Sequence, residues 1–175
     1  MSRNYPPGFN YVKGGFEHRT MPVSSTGTFV RGVALAPADD GTVIQYADGE
    51  ASVVGISLSD SSQSYVIVPG TNLVDVLVPE PNTEFELSCV SDFVDSDATA
   101  YGAYNLLIDE GTSSLAEVLS IDADSNVTKI VQVVPREDGA SATITESGSN
   151  YSTIRVRFVA GILSPFNSHG TTIVP

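Results

Sequence analysis

From residue 28 onward the chain alternates apolar and polar side chains with a period of two. Such alternation predicts strands with one buried and one wet face, because successive strand side chains point to opposite sides. Thr28 to Leu35 and Thr42 to Tyr46 are two short strand candidates around an Asp40-Gly41 turn. After a second acidic turn, Asp48-Gly49, the run ASVVGISL places Val54, Ile56 and Leu58 on one face. Tyr65 to Val68 follows, and NLVDVLVP then sets Val74, Val76 and Val78 against Asp75. In TEFELSCV, Phe85, Leu87 and Cys89 point inward while Glu84, Glu86 and Ser88 point outward. SLAEVLSI and NVTKIVQVV alternate in the same way, and STIRVRFV sets Ile154, Val156 and Phe158 against Thr153, Arg155 and Arg157. Only ATAYGAYNLLID and SSLAEVLSI could hold a turn or two of helix, and Gly102 interrupts the first. Arg136 to Ser149 reads as a polar loop with room for a small strand at SATIT.

The expected fold class is all-β, an antiparallel β-barrel or β-sandwich over residues 28–161. An extended N-terminal arm, residues 1–27, precedes it, and a short C-terminal tail, residues 162–175, follows. The arm contains YPPGFNYVKGGF, where Pro6 and Pro7 favour extended backbone and Gly14-Gly15 reads as a flexible joint. Tyr5, Phe9, Tyr11 and Phe16 make it more apolar than a disordered tail, so it is expected to lie in a groove on a neighbour. A merely disordered N-terminus is the alternative.

Charge changes the picture further. The 175 residues carry a net charge of −13, which argues against non-specific binding to nucleic acid or to an anionic membrane surface. Residues 1 to 31 hold Arg3, Lys13, Arg19 and Arg31 against Glu17 alone. Residues 32 to 128 hold seventeen acids and no Lys or Arg, and the remainder is nearly balanced. A basic arm on an acidic body suggests docking through the ends, while the plain alternative is that the acids keep a β-rich body soluble. The single cysteine, Cys89, excludes an internal disulfide and is expected to be buried and inert. The opening MSRNYPPGFNY has no apolar run, so no secretory signal is expected, and no stretch has the length of a membrane span; folding in a cytosol is the expectation.

Candidate chemistry is thin. Asp122-Ala-Asp124-Ser-Asn126 copies the opening of a calcium loop, but Val127 stands where the turn needs Gly and Val133 where it needs Glu. With only His18 and His169, a multi-histidine metal site is not expected, and no metal or other cofactor is. No nucleophile elbow or phosphate-cradling loop occurs. Paired carboxylates such as Glu84 and Glu86 leave a carbohydrate-active enzyme as a minor alternative, since glycosidases need two carboxylates roughly 5 to 10 Å apart. Against it, the chain has no Trp to serve as a sugar platform. The carboxylates of Asp39, Asp40, Asp48 and Glu50 read as the soluble rim of a scaffold, and the chain as a non-enzyme.

The order of segments resembles the head decoration (capsid cement) proteins of tailed bacteriophages. The features that carry the resemblance are the N-terminal arm, the strand FVRGVALA, the turn DDGTVIQYA and the return strand ASVVGISLSD. Gly41-Thr42-Val43 and Val54-Gly55-Ile56-Ser57 correspond to the family's paired glycine elements, and TEFELSC, AYGAYNLLID and VTKIVQVV…RVRFVAG follow its later pattern. The resemblance spans residues 28 to 161. It implies a small β-barrel or sandwich, commonly a homotrimer, that binds the major capsid protein on the outside of the expanded shell and stabilises it. On that expectation Tyr5, Phe9, Tyr11 and Phe16 anchor the arm on the shell, and Lys13, Arg19 and Arg31 steer it. Arg155 and Arg157 would pair with the acidic body across a subunit interface, or else sit on a wet sheet face. The location implied is the virion exterior, after assembly in a host cytoplasm. A head-fibre or receptor-binding module, contacting host surfaces through the Arg136 to Ser149 loop, is the rival reading, and a β-module with non-viral protein partners is another.

Overall fold

The computed structural model describes residues 8–25, 27–47, 52–63, 65–66, 72–89, 103–109, 116–120, 131–134, 143–145, 152–159 and 161–163. These contain strands β1 (Asn10–Lys13), β2 (Phe16–Pro22), β3 (Ala34–Pro37), β4 (Val43–Gln45), β5 (Gly55–Ser57), β6 (Tyr65–Val66) and β7 (Asn72–Pro79). They continue with β8 (Glu84–Cys89), β9 (Ala103–Asp109), β10 (Ala116–Ser120), β11 (Val131–Val133), β12 (Thr143–Thr145) and β13 (Ser152–Phe158). One turn of 3-10 helix, Ser61–Gln63, is the only helical element among the described residues. No helix there is long and apolar enough to cross a membrane. The fold is all-β, and the two segments with some helical character are both strands, β9 and β10.

The strands form two sheets. One runs β1-β8-β10-β9-β11-β13-β12, with β8 also paired to β13; the other runs β2-β7-β5-β3-β4, with β6 on β7. Every ladder is antiparallel except β8 with β10, which is a single parallel pair, Leu119 and Cys89. In the second sheet an isolated bridge from Val23 to Val43 brings the edges β2 and β4 together at one corner. One residue pair is not a ladder. The architecture is therefore two antiparallel sheets, compatible with either a barrel or a sandwich.

The alternation seen in the sequence builds two clusters. Val74, Val76 and Val78 of β7 pack with Phe29, Val33 and Leu35 on one side of the second sheet. Leu77, pointing the other way, joins Ala34, Ala36 and Ile56 against Phe85, Leu87, Val156 and Phe158 of the first sheet. This second cluster fastens the sheets together, each fully buried large side chain contributing about 1.5–3 kcal/mol by removal from water.

Three expectations change. Thr28 to Leu35 is a strand only from Ala34, because side chains capture the main chain before it: Phe29 N–H donates to Ser61 Oγ (3.0 Å), Arg31 N–H to Asp60 Oδ1 (2.7 Å) and Val33 N–H to Ser57 Oγ (3.1 Å). Val54 does not share a face with Ile56 and Leu58; β5 begins at Gly55, so Val54 joins the first cluster while Val53 and Ile56 join the second. Nor is residue 27 a boundary between arm and body. Two of the strands, β1 and β2, lie before it, paired to β8 and β7.

Candidate binding surface

The link from β1 to β2 carries the chain from one sheet to the other. Its Gly14-Gly15 reads in the sequence as a joint, yet it is gripped by the turn at residues 80–83. Gly15 N–H donates to Asn82 Oδ1 (3.3 Å), Glu80 N–H donates to Gly15 O (3.1 Å), and the Thr83 hydroxyl donates to the same carbonyl. Gly14 has φ +107°, and a Cβ there would stand 2.6 Å from Asn82 O and from Thr83 Cα. Only glycine fits that crossing without strain.

This crossover presents two aromatic rings. Tyr11 is 45% and Phe16 46% exposed, and they are the exposed large hydrophobic side chains among the described residues. Their ring centroids lie 5.0 Å apart at 69°, an edge-to-face contact, and Tyr11 Oη donates to Gly14 O (2.8 Å). The pair is thus held in place by its own packing and by the crossover. Phe9 is a different matter. It is buried, stacked on Phe158 (5.2 Å) and edge-on to Phe85 (5.3 Å), so it is a core residue and not an anchor for a partner. Tyr5 lies outside the described residues.

Of the bases expected to steer docking, two are engaged within the chain. Lys13 Nζ lies 3.6 Å from Glu84 Oε2, and Arg19 donates to Glu17 Oε2 at 2.7 Å. The hydrogen bond to Glu17 raises the Arg19 pKa above its ordinary value. Arg31 is exposed. It lines a groove of about 590 Å³ together with the exposed Tyr11, the part-buried Val30 and Leu58, and the buried Phe9 and Phe85. Asp60 also lines it.

Arg155 and Arg157 stand on the charged face of the first sheet. Arg155 reaches both Glu84 (3.7 Å) and Glu86 (3.8 Å) of the neighbouring β8, with the three side chains only 13–17% exposed. The row Lys13, Glu84, Arg155, Glu86 is therefore largely compensated inside one chain. Arg157 Nε donates to Gln132 Oε1 (3.2 Å). Glu84 and Glu86, the carboxylate pair singled out in the sequence, thus hold an arginine between them. Among the described residues no group of three or more His, Cys, Asp or Glu side chains is placed to hold a metal ion. The calcium-like segment at residues 122–133 lies outside them up to residue 130, as do Asp48 and Glu50.

At the β3–β4 turn Asp39 and Asp40 are exposed. Asp40 accepts from both the Thr42 hydroxyl and the Thr42 N–H, and these bonds, the hydroxyl first, lower its pKa below the usual carboxylate value. That is the behaviour of a turn-forming residue.

The sequence reading missed the groove, because its walls come from five separate stretches: residues 9–11, 30–32 and 56–60, with Leu77 and Phe85. The cue was SLSDSSQ, whose short polar side chains accept main-chain N–H groups readily and so divert a strand. Compared with known proteins, the chain matches no family model, no curated protein and no solved structure.

Proposed function

We propose that the chain is a structural, non-catalytic virion protein that binds the major capsid protein on the outer surface of a phage shell and stabilises the expanded form. The observation that carries this reading is the Tyr11–Phe16 pair, two exposed rings on a crossover pinned between both sheets. Rigid aromatics bind at low entropic cost, since few rotors are frozen on contact, and aromatic anchors dominate the energetics of many interfaces. Nearby Arg31 adds a positive charge to a molecule of net charge −13, which favours one docking face over others. The segment order described above supplies the family resemblance, and with it the homotrimer. Three copies of such a face would bind multivalently, so modest contacts suffice.

The test is the amount of the chain in purified particles, followed by co-sedimentation of the pure protein with expanded shells. A copy number of the order of the coat protein is expected, and the double variant Tyr11→Ala, Phe16→Ala should bind about tenfold or more weakly while staying folded. A few copies per particle would favour the head-fibre reading. Absence from particles would remove the viral reading, and unchanged binding of the double variant would remove the aromatic pair from it.

A further inference from the structure

The groove and the aromatic pair share Tyr11, so together they make one strip along the crossover side of the molecule. Within it Arg31 stands apart from the other bases there. Lys13 and Arg19 are each in an ion pair, whereas the exposed Arg31 guanidinium has no carboxylate of the described residues within ion-pair distance. The Asp60 carboxylate instead accepts the Arg31 main-chain N–H at 2.7 Å. Main-chain groups along the groove are also engaged. Phe9 N–H donates to Gly32 O (2.7 Å), Gly32 N–H to Ser57 O (2.9 Å) and Leu58 N–H to Asp75 O (2.9 Å). The groove therefore offers little for an added strand to pair with. It offers apolar surface and an Arg31 guanidinium that no carboxylate of the described residues engages, beside the Asp60 carboxylate that already holds the Arg31 main-chain N–H.

We propose that this groove receives an extended segment of a partner protein, in which an aromatic or branched apolar side chain fills the groove and a neighbouring Asp or Glu carboxylate is bound by the Arg31 guanidinium. The volume, about 590 Å³, accommodates one such side chain and its flanking backbone. Guanidinium and carboxylate match as planar, bidentate partners, which fixes the register of the incoming segment as well as its sign of charge. The inference deepens the shell-binding reading and rests on it only for the partner's identity, a subunit of the shell.

Two arms test it. In the first, the full chain is titrated with the peptide Ac-Gly-Phe-Asp-Gly-amide and with its Asn counterpart, followed by amide NMR shifts. The Asp peptide shifts Tyr11, Arg31, Gly32 and Leu58, and binding falls about tenfold for the Asn peptide and for Arg31→Gln, a loss typical of a charged hydrogen-bond pair. Asp39→Asn, on an exposed turn, leaves it unchanged. No shifts at those residues at millimolar peptide, or equal response to both peptides, overturns the assignment. The second arm compares wild type and Arg31→Gln on expanded shells. Shell binding that survives Arg31→Gln intact overturns the groove as the docking site. Peptides that bind as expected, with no shell binding by the wild type, sustain the groove and remove the shell reading.

Discussion

The two sheets share one strand period and use it differently. In the sheet of β8 and β13, alternate residues face opposite environments: Phe85, Leu87, Val156 and Phe158 are buried, and Glu84, Glu86 and Arg155 form a charged row on the other side. In the sheet of β3, β5 and β7 both faces are apolar where the strands run together. Ala34, Leu35 and Ala36 are all fully buried, and so are Val76 and, nearly so, Leu77 and Val78. Asp75, the fourth of the eight residues of β7, breaks the pattern, and there the Thr20 hydroxyl donates to it (3.2 Å) while His18 Nε2 lies 3.5 Å away. Strict alternation thus marks a sheet with one core, whereas near-continuous apolar runs mark a sheet sandwiched between two. The candidate binding strip lies where the chain passes from one regime to the other.

The comparison is broken most directly in the cores. Phe9→Ala and Leu35→Ala remove buried side chains from the two different clusters, and should cost about 3–5 and about 2–5 kcal/mol respectively in urea unfolding. For Phe9 the number separates two roles. A residue serving only to anchor an arm would change stability by about 0.5 kcal/mol or less, as surface positions do.

Next in size is the crossover itself. Gly14→Ala places a Cβ against Asn82 O and Thr83 Cα and forces an L-residue into φ +107°. A loss of about 1–3 kcal/mol follows from such strain. A free hinge would instead gain slightly from the substitution, by reducing the freedom of the unfolded chain. The sign of the change in thermal midpoint therefore decides between hinge and clamp.

The strand period, the inward Phe85 and Leu87 of β8 and Val156 and Phe158 of β13, and Val74, Val76 and Val78 of β7 were all legible in the sequence, because each depends on neighbours two residues away. The side chains of Cys89 and Ile154 lie outside the described residues. What escaped depends on distant partners. Nothing in YVKGGF reveals that Asn82, 67 residues further on, holds Gly15. Phe9 and Tyr11 looked equivalent, two residues apart and both aromatic. They do line the same groove, but Phe9 precedes β1 and drops between Phe85 and Phe158, while Tyr11 leans on Phe16. Arg155 does meet acids of the body, but within its own chain and not across a subunit interface as expected: registering β13 against β8 places it opposite Glu86, and sequence alone gives no register.

Arg155→Met sharpens the contrast between the sheets by making the charged face more like the apolar one. It leaves Glu84 with Lys13 and deprives Glu86 of its cation. A cost of about 1–2 kcal/mol is expected, within the range for stranding a part-buried charged group. The variant Arg155→Met, Glu86→Leu should recover part of that cost, because a matched apolar pair replaces a pair whose desolvation offsets much of its attraction. No recovery would mean that the row acts through Glu84 alone.

The smallest effect is expected at the β3–β4 turn of the second sheet, where a charge serves one turn and is open to water. Asp40 is held by Thr42, and its folded pKa lies below the unfolded value. For a depressed carboxylate the stabilisation is fully present above the unfolded pKa, about 3.9, and is lost as pH falls through the folded value. The thermal midpoints of wild type and Asp40→Ala should therefore differ by a constant small amount from pH 6 to 8, and the gap should narrow only below about pH 4. Thr42→Val removes the hydroxyl that contributes most to the shift, so the Asp40 carboxyl resonance should titrate at higher pH in that variant than in wild type. If the two titrate together, the hydroxyl is not what holds the turn's charge, and the main-chain N–H of Thr42 is left to account for it.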